Sequence, residues 1–316
     1  MTFTITKNFH VIHMTDDLKA LDAWYYDVFS VQRFMPDSYM PAEVRDASLV
    51  LIGTLCVEPL APAFHVEGWD RMPLGRFQRR FGERWHSIAW YVPEGMGELY
   101  RGLVAAGVRT YGTGGVKQEG DEPVGALFTH PRDTITQLEF VPGPRPGQPE
   151  LRPSQSDPRL KPGFSPAWWG RHHPLHIQNV SSVTLAVNDL DRARHVYEDL
   201  LGGRLLHEGE VEATGTHSAF VAVGEDLVVE LARPLDDSSA IAADLAANGE
   251  SLYAVTFKVA DLASAEEHLH RKGVGLAHAD GTTLLTDPAS SHGVVFGFTT
   301  WSIPNDPRPD WWDGAA

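Results

Sequence analysis

Four times along this chain an apolar strand runs into a helix opening, and each time a second apolar strand closes the unit. The openings are His10-Val-Ile-His-Met-Thr-Asp-Asp17-Leu18, His86-Ser-Ile-Ala-Trp-Tyr-Val-Pro93-Glu94, Ser182-Val-Thr-Leu-Ala-Val-Asn-Asp189-Leu190 and Ala254-Val-Thr-Phe-Lys-Val-Ala-Asp261-Leu262. The closing strands end at Glu58, Glu139, Glu230 and Gly297, which lie 48, 53, 48 and 43 residues after the opening positions. A repeat of this length means one supersecondary unit used four times. Within each unit the order is strand, helix, then three strands.

The helices are read from apolar residues spaced three and four apart, over Leu18–Phe29, Glu94–Ala106, Leu190–Leu201 and Leu262–Lys272. Asp17, Asp189 and Asp261 are placed to cap three of them by accepting backbone N–H bonds. Pro93 suits a first helical position, where its missing N–H costs nothing. Gly107, Gly202 and Gly273 follow three helix ends, as left-handed stop residues do.

These openings, together with Trp24-Tyr25-Tyr26-Asp27-Val28-Phe29 and Val196-Tyr197-Glu198-Asp199-Leu200-Leu201-Gly202-Gly203 and the strand-end glutamates, resemble the vicinal oxygen chelate superfamily. That group holds the glyoxalases, bleomycin-resistance proteins and extradiol dioxygenases. The resemblance covers residues 8–142 and 178–300. It implies an α+β fold of two tandem domains, each of two βαβββ units forming a curled mixed-sheet cup. Metal ligands would come from the first and last strand of each unit.

Side chains two apart along a strand share a face. His10, Ile12 and Met14 therefore align, as do Thr54, Cys56 and Glu58; His86, Ile88 and Trp90; and Ile135, Gln137 and Glu139. If those faces line the cup, His10, Glu58, His86 and Glu139 converge on one divalent metal ion. A mixed nitrogen and oxygen set suits Zn, Ni, Co, Mn or Fe. Glu58 or Glu139 is then the candidate catalytic base; the sequence leaves the choice open. The matching positions of the second half are read as Ser182, Glu230, Ala254 and Gly297, which cannot hold a metal, so that half is a degenerate copy.

Other residues carry less. His13 faces away from His10 and is read as structural. His172, His173 and His176 cluster in a linker, where a solvated role outweighs a second metal site. Arg71, Arg76, Arg79, Arg80 and Arg84 precede His86. A charged connecting helix explains them, although guanidinium forks also suit planar anions at a cup rim. Trp90 in the pocket would favour an aromatic or bulky apolar substrate. Cys56, two before Glu58, is read as a small hydrophobe.

The expected organisation is a metal-binding domain at 1–145, a Pro-rich linker at 146–176, a degenerate domain at 177–303 and a tail at 304–316. Phe164, Trp168 and Trp169 mark the linker as packed against a domain, and the Pro- and Trp-rich stretch Trp301–Trp312 reads as a surface strap; for both, plain packing outweighs a place at the active-site mouth. One cysteine allows no internal disulfide and fits a reducing, cytoplasmic location. A formal charge of −16 argues against nucleic acid. The N-terminus lacks signal-peptide regions, and no apolar run is long enough for a bilayer. The partner is thus a small-molecule substrate, and a homodimer is compatible because units in this superfamily pair within or between chains.

Three functions fit. The first, implied by the four-ligand pattern, is glyoxalase I-like: a metal-dependent isomerase, epimerase or lyase working through a metal-stabilised enolate of a small carbonyl substrate. The second is an Fe(II) extradiol-type ring-cleaving dioxygenase. Four units match that group in size, but it uses two His and one Glu, usually in the C-terminal pair. The third is a non-catalytic protein that sequesters a small molecule.

Overall fold

The structure is a computed structural model describing residues 2–118, 120, 123, 125–143 and 157–308. Unit one runs β1 (Asn8–Met14), α1 (Leu18–Phe29), β2 (Gln32–Met40), β3 (Arg45–Ile52) and β4 (Leu55–Pro62). A connecting helix, α2 (Pro73–Phe81), leads into unit two: β5 (Arg84–Tyr91), α3 (Met96–Ala105), β6 (Thr110–Tyr111), β7 (Leu127–Thr129), the short α4 (Pro131–Thr134) and β8 (Gln137–Val141). The second half repeats this with β9 (Ile177–Ala186), β10 (Arg204–Val211), β11 (Thr216–Val223), β12 (Leu227–Pro234), β13 (Ser251–Val259), β14 (Leu276–Ala279), β15 (Thr283–Thr286) and β16 (Val295–Thr299).

The strands form two eight-stranded open sheets, ordered β2-β3-β4-β1-β5-β8-β7-β6 and β10-β11-β12-β9-β13-β16-β15-β14. In each sheet the first strands of two units pair antiparallel, β1 with β5 and β9 with β13. Each first strand also pairs parallel with its own unit's last strand. This is the expected α+β arrangement of tandem βαβββ pairs. The central strands β1, β4 and β5 are buried along their whole length, because both faces are covered.

The local helix signals act as read. Asp17, Asp189 and Asp261 each accept from the backbone N–H three residues on. Helix α1 has the expected bounds. The unit-two helix differs: Pro93 lies outside it, and α3 starts at Met96 after Gly95, whose φ of 77° makes the turn. A side chain at Gly95 would also meet Phe3 at 2.5 Å, so the N-terminal segment packs there against bare backbone. The unit-three helix is α only over Leu190–Arg194 and continues as a π turn through Leu200.

One apolar core runs through both halves. Phe29 of α1 lies 5.2 Å from Phe296 and 6.0 Å from Phe257, between centroids. Trp85 Nε1 donates to the Val295 carbonyl at 3.2 Å, and Tyr197 Oη to that of Thr134 at 3.1 Å. Trp169 of the linker is buried and donates to the Phe29 carbonyl, whereas Trp168 is exposed. No helix among the described residues is long and apolar enough to cross a membrane.

Each sheet is also clasped from behind by an Asp-Pro-Arg triplet. Arg159, forked onto Asp157, donates to the carbonyls of Phe9 and Thr54 at 2.6 and 3.0 Å. Arg308, forked onto Asp306, donates to those of Val180, Ser181 and Asp226. Phe9 and Thr54 precede β1 His10 and β4 Leu55 exactly as Ser181 and Asp226 precede their β9 and β12 counterparts, so the two clasps grip equivalent points. Linker residues 144–156 and tail residues 309–316 lie outside the described residues.

Candidate metal and substrate site

The sheet order places β4, β1, β5 and β8 side by side. Glu58, His10, His86 and Glu139 therefore arise from four adjacent strands, and all four side chains are buried. His10 Nε2 faces two carboxylates at once, Glu58 Oε2 at 3.3 Å and Glu139 Oε2 at 3.2 Å. His86 lies on β5 within a register shift of the β1–β5 ladder, the kind of irregularity that re-aims a side chain. Phe77 of α2 packs edge-on against its ring at 4.4 Å.

The two imidazoles are held in different states. Burial lowers the His10 pKa, but Glu58 and Glu139 more than offset it, and His10 is raised above its ordinary value. Burial and then the Arg45 charge lower His86 to about 4, so it is neutral at pH 7.

Arg45, absent from the sequence-derived set, completes the site. It donates to Glu58 Oε1 at 2.7 Å and from Nε to Glu43 Oε2. Burial opposes its charge, yet Glu58 and Glu43 hold its pKa above the usual arginine range. The one sequence signal is a Glu-Val-Arg triplet entering an otherwise apolar strand. Above this layer opens a cavity of about 310 Å³. Arg45, His86, Gln137 and Glu139 line its polar side, and Phe77 and Phe128 its apolar side. Glu58 and His10 lie beneath and do not line it.

Several expectations are corrected. Trp90 is fully buried, stacks on Phe140 and is not a cavity residue; the aromatic lining comes from Phe77, Phe128 and Tyr111 instead. Ile135 is not in a strand at all, having φ 75° after α4. No described residue of the linker or of the C-terminal strap lines the cavity. His13 faces away as expected: its Nδ1 accepts from Tyr25 Oη and its Nε2 donates to the His292 carbonyl, both at 2.8 Å. Cys56 is buried in the apolar core.

The second-half copy has a shifted register. Pairing equates Trp85 with Leu252 and Ile88 with Val255, because His13 and Leu185 oppose the first pair and Val11 and Val183 the second. Tyr253, not Ala254, thus occupies the His86 position. Glu139 opposes Ala89 as Gly297 opposes Thr256, so Gly297 is the true counterpart. A side chain at Gly297 would lie 2.4 Å from Thr256 Oγ1, so that space is already filled. Glu230 accepts from Thr184 at 2.6 Å and Ser218 at 2.8 Å, and burial raises its pKa despite these bonds.

Do the first-half residues fit a divalent ion? Ligand atoms about 2.0–2.2 Å from one ion stand roughly 3 Å apart. The two separations at His10 Nε2 match that spacing. Glu58 Oε2, His10 Nδ1 and His86 Nδ1 are buried without hydrogen-bond partners, an unsatisfied state that calls for an explanation. Among the described residues no group of three or more His, Cys, Asp or Glu side chains is arranged so as to hold a metal ion. His10 is instead paired with Glu58 and Glu139, and Glu58 with Arg45. The donor chemistry and the orphaned atoms fit an ion; closing the shell requires side-chain rotation.

Residues 182–296 match the family model described as the glyoxalase/bleomycin resistance protein/dioxygenase superfamily. No curated protein matches the chain in sequence. Among solved structures, a triple mutant of 4-hydroxymandelate synthase from Streptomyces coelicolor is similar over 94% of this chain and 92% of that one, at 14% identity and a TM-score of 0.64. Methylmalonyl-CoA epimerase from Mycobacterium tuberculosis is 31% identical over 39% of this chain and 87% of its own, with a TM-score of 0.37. The family match falls on the half whose ligand positions are emptied, and the full-length likeness extends the same fold across the first. Residues 182–296 belong to the glyoxalase, bleomycin resistance protein and dioxygenase superfamily, and the chain as a whole shares the two-domain fold of its full-length structural neighbour.

Proposed function

We propose that the first-half cavity is the active site of a metal-dependent isomerase, epimerase or lyase that moves a proton next to a carbonyl of a small, partly apolar substrate. His10, Glu58, His86 and Glu139 would hold one divalent ion. The observation that carries this reading is the contrast between the two glutamates. Glu58 is pinned under the cavity by Arg45, whereas Glu139 lines the cavity and, among the described residues, has only His10 as a hydrogen-bonding partner.

Bound there, an ion supplies Lewis-acid polarisation of a substrate oxygen. Glu139 is the base: it reaches the substrate space, and its Oε2 swings between His10 and the acidified C–H. Neutral His86 keeps a lone pair at neutral pH because the Arg45 charge and burial disfavour its proton. Arg45 fixes Glu58 and keeps the layer's net charge from becoming too negative. Phe77, Phe128 and Leu74 exclude water from the reacting face.

The test is C–H exchange in D₂O, followed by NMR over a panel of 2-oxo acids, 2-oxo aldehydes and acyl thioesters. We expect metal-dependent exchange that Glu139→Gln removes while metal content stays. Exchange unaffected by Glu139→Gln would overturn the assignment of the base. A second reading is favoured by Arg45. If it retains Glu58, the remaining donors are His10, His86 and Glu139, a two-His, one-carboxylate set of the kind that suits Fe(II) oxygenases. Oxygen uptake with catechols by iron-loaded protein would select that reading.

A further inference from the structure

A second recess of about 820 Å³ opens beside the cavity, between α2 and α4 of the first half and the Asn248–Ser251 turn of the second. Arg76, Phe77, His86, His130 and Pro131 line both spaces, so the two are continuous. The recess is lined by four arginines: Arg76, Arg80, Arg84 and Arg132.

Their pairing sorts by direction. Arg79, which does not line the recess, is bonded to Asp70 at 2.6 Å, and buried Arg84 to Asp244 at 3.2 Å. Among the described residues Arg76, Arg80 and Arg132 have no carboxylate partner. Arg76 donates only to the Arg71 carbonyl, and Arg80 stacks over Phe81 at 4.8 Å. Glu250, the acidic residue of the wall, is already taken by Arg192 and the Asn188 N–H. Arg76 and Arg80 stand one helical turn apart, a like-charge arrangement that is unfavourable by itself. In a chain of formal charge −16, three unpaired guanidinium groups around one recess are contrary to the general balance.

We infer that this recess binds the anionic end of the substrate: a multiply charged group, either phosphate ester or clustered carboxylate, whose remainder enters the cavity. The inference rests on the reading of the cavity as the substrate site. Guanidinium forks match the oxygens of both anions, and the converging field of three of them selects a group with two or more negative charges. Arg76, shared by both spaces, marks the junction between the anionic end and the reacting end.

The experiment is calorimetric titration of the full-length protein with fructose 1,6-bisphosphate and, separately, tricarballylate, at low and high salt. Metal content is measured on the same preparation. We expect binding that weakens with salt, and at least about a tenfold loss in the double variant Arg80→Gln/Arg132→Gln, with no loss in Arg79→Gln. Both substituted residues are exposed, and circular dichroism verifies that the variants fold. Tighter binding of the bisphosphate identifies a phosphate ester; tighter binding of tricarballylate identifies clustered carboxylates. Equal affinity in wild type and the double variant, or no binding of either probe, overturns the inference. Probe binding by protein that takes up no metal would overturn the proposed function and leave the recess standing; the reverse result would separate them the other way.

Discussion

The two halves have the same sheet order and treat the same buried glutamate differently. In the second half, Glu230 is satisfied by two hydroxyls, Thr184 and Ser218. In the first half the Thr184 position is Ile12, and Glu58 is bonded to Arg45. Three of the four candidate ligand residues there keep a buried nitrogen or oxygen without a partner, and none of the four second-half positions does. The difference teaches that this sheet does not need an ion to close. The second-half positions are internally satisfied, whereas the first half leaves buried polar atoms whose unpaired state calls for an explanation.

The largest test of that contrast is metal uptake. His86→Ala and Glu139→Ala should abolish metal retention and turnover, whereas Glu230→Ala should leave both nearly intact, as measured by elemental analysis and activity. Full occupancy in the His86 variant would break the comparison. Next come the clasps. Arg159 is the more deeply buried, and Arg159→Ala should cost about 3–5 kcal/mol by urea denaturation, because it strands Asp157. Arg308→Ala should cost less, since its pair is partly exposed. Filling the emptied position is a smaller perturbation: Gly297→Ala should destabilise by roughly 1–3 kcal/mol through the clash with Thr256. An unchanged urea midpoint would show that the copied site still has room.

The last test is a pH slope, read one pH unit at a time. Burial lowers His13 to about 3, and its second-half counterpart is Leu185. The unfolded chain takes up this proton below its ordinary value of about 6.5, and the folded chain does not until about 3. His13 thus contributes stability above pH 6.5 that is lost as pH falls between those values, by about 1.4 kcal/mol per pH unit. His13→Leu should flatten the acid limb of stability by one proton. A slope that stays the same would mean that His13 is already charged in the fold.

The repeat, the helices and their Asp caps were legible because each rests on chemistry within a few residues. The four candidate ligands were legible because they recur at matching strand positions. Their second-half counterparts were one residue out at Ala254, since the repeats had been matched at the strand-to-helix turn. That turn differs between units: α3 begins three residues after Pro93, but the helix after Asp261 begins at once. Strand pairing, a long-range property, sets the register. Arg45 was missed for a similar reason, because its partner Glu58 meets it only when β3 folds onto β4. Trp90 was misplaced because alternation names a face without saying what covers it.

The Asp-Pro-Arg clasps change where this protein can be cut. A fragment ending at the last strand of the first sheet would keep every strand, yet leave the carbonyls of Phe9 and Thr54 without their guanidinium donor. The same holds for Val180, Ser181 and Asp226 when the chain stops after β16. Each sheet is therefore finished by polypeptide that lies outside it, and a truncation at the last strand of either sheet removes a buried guanidinium donor rather than a spare tail.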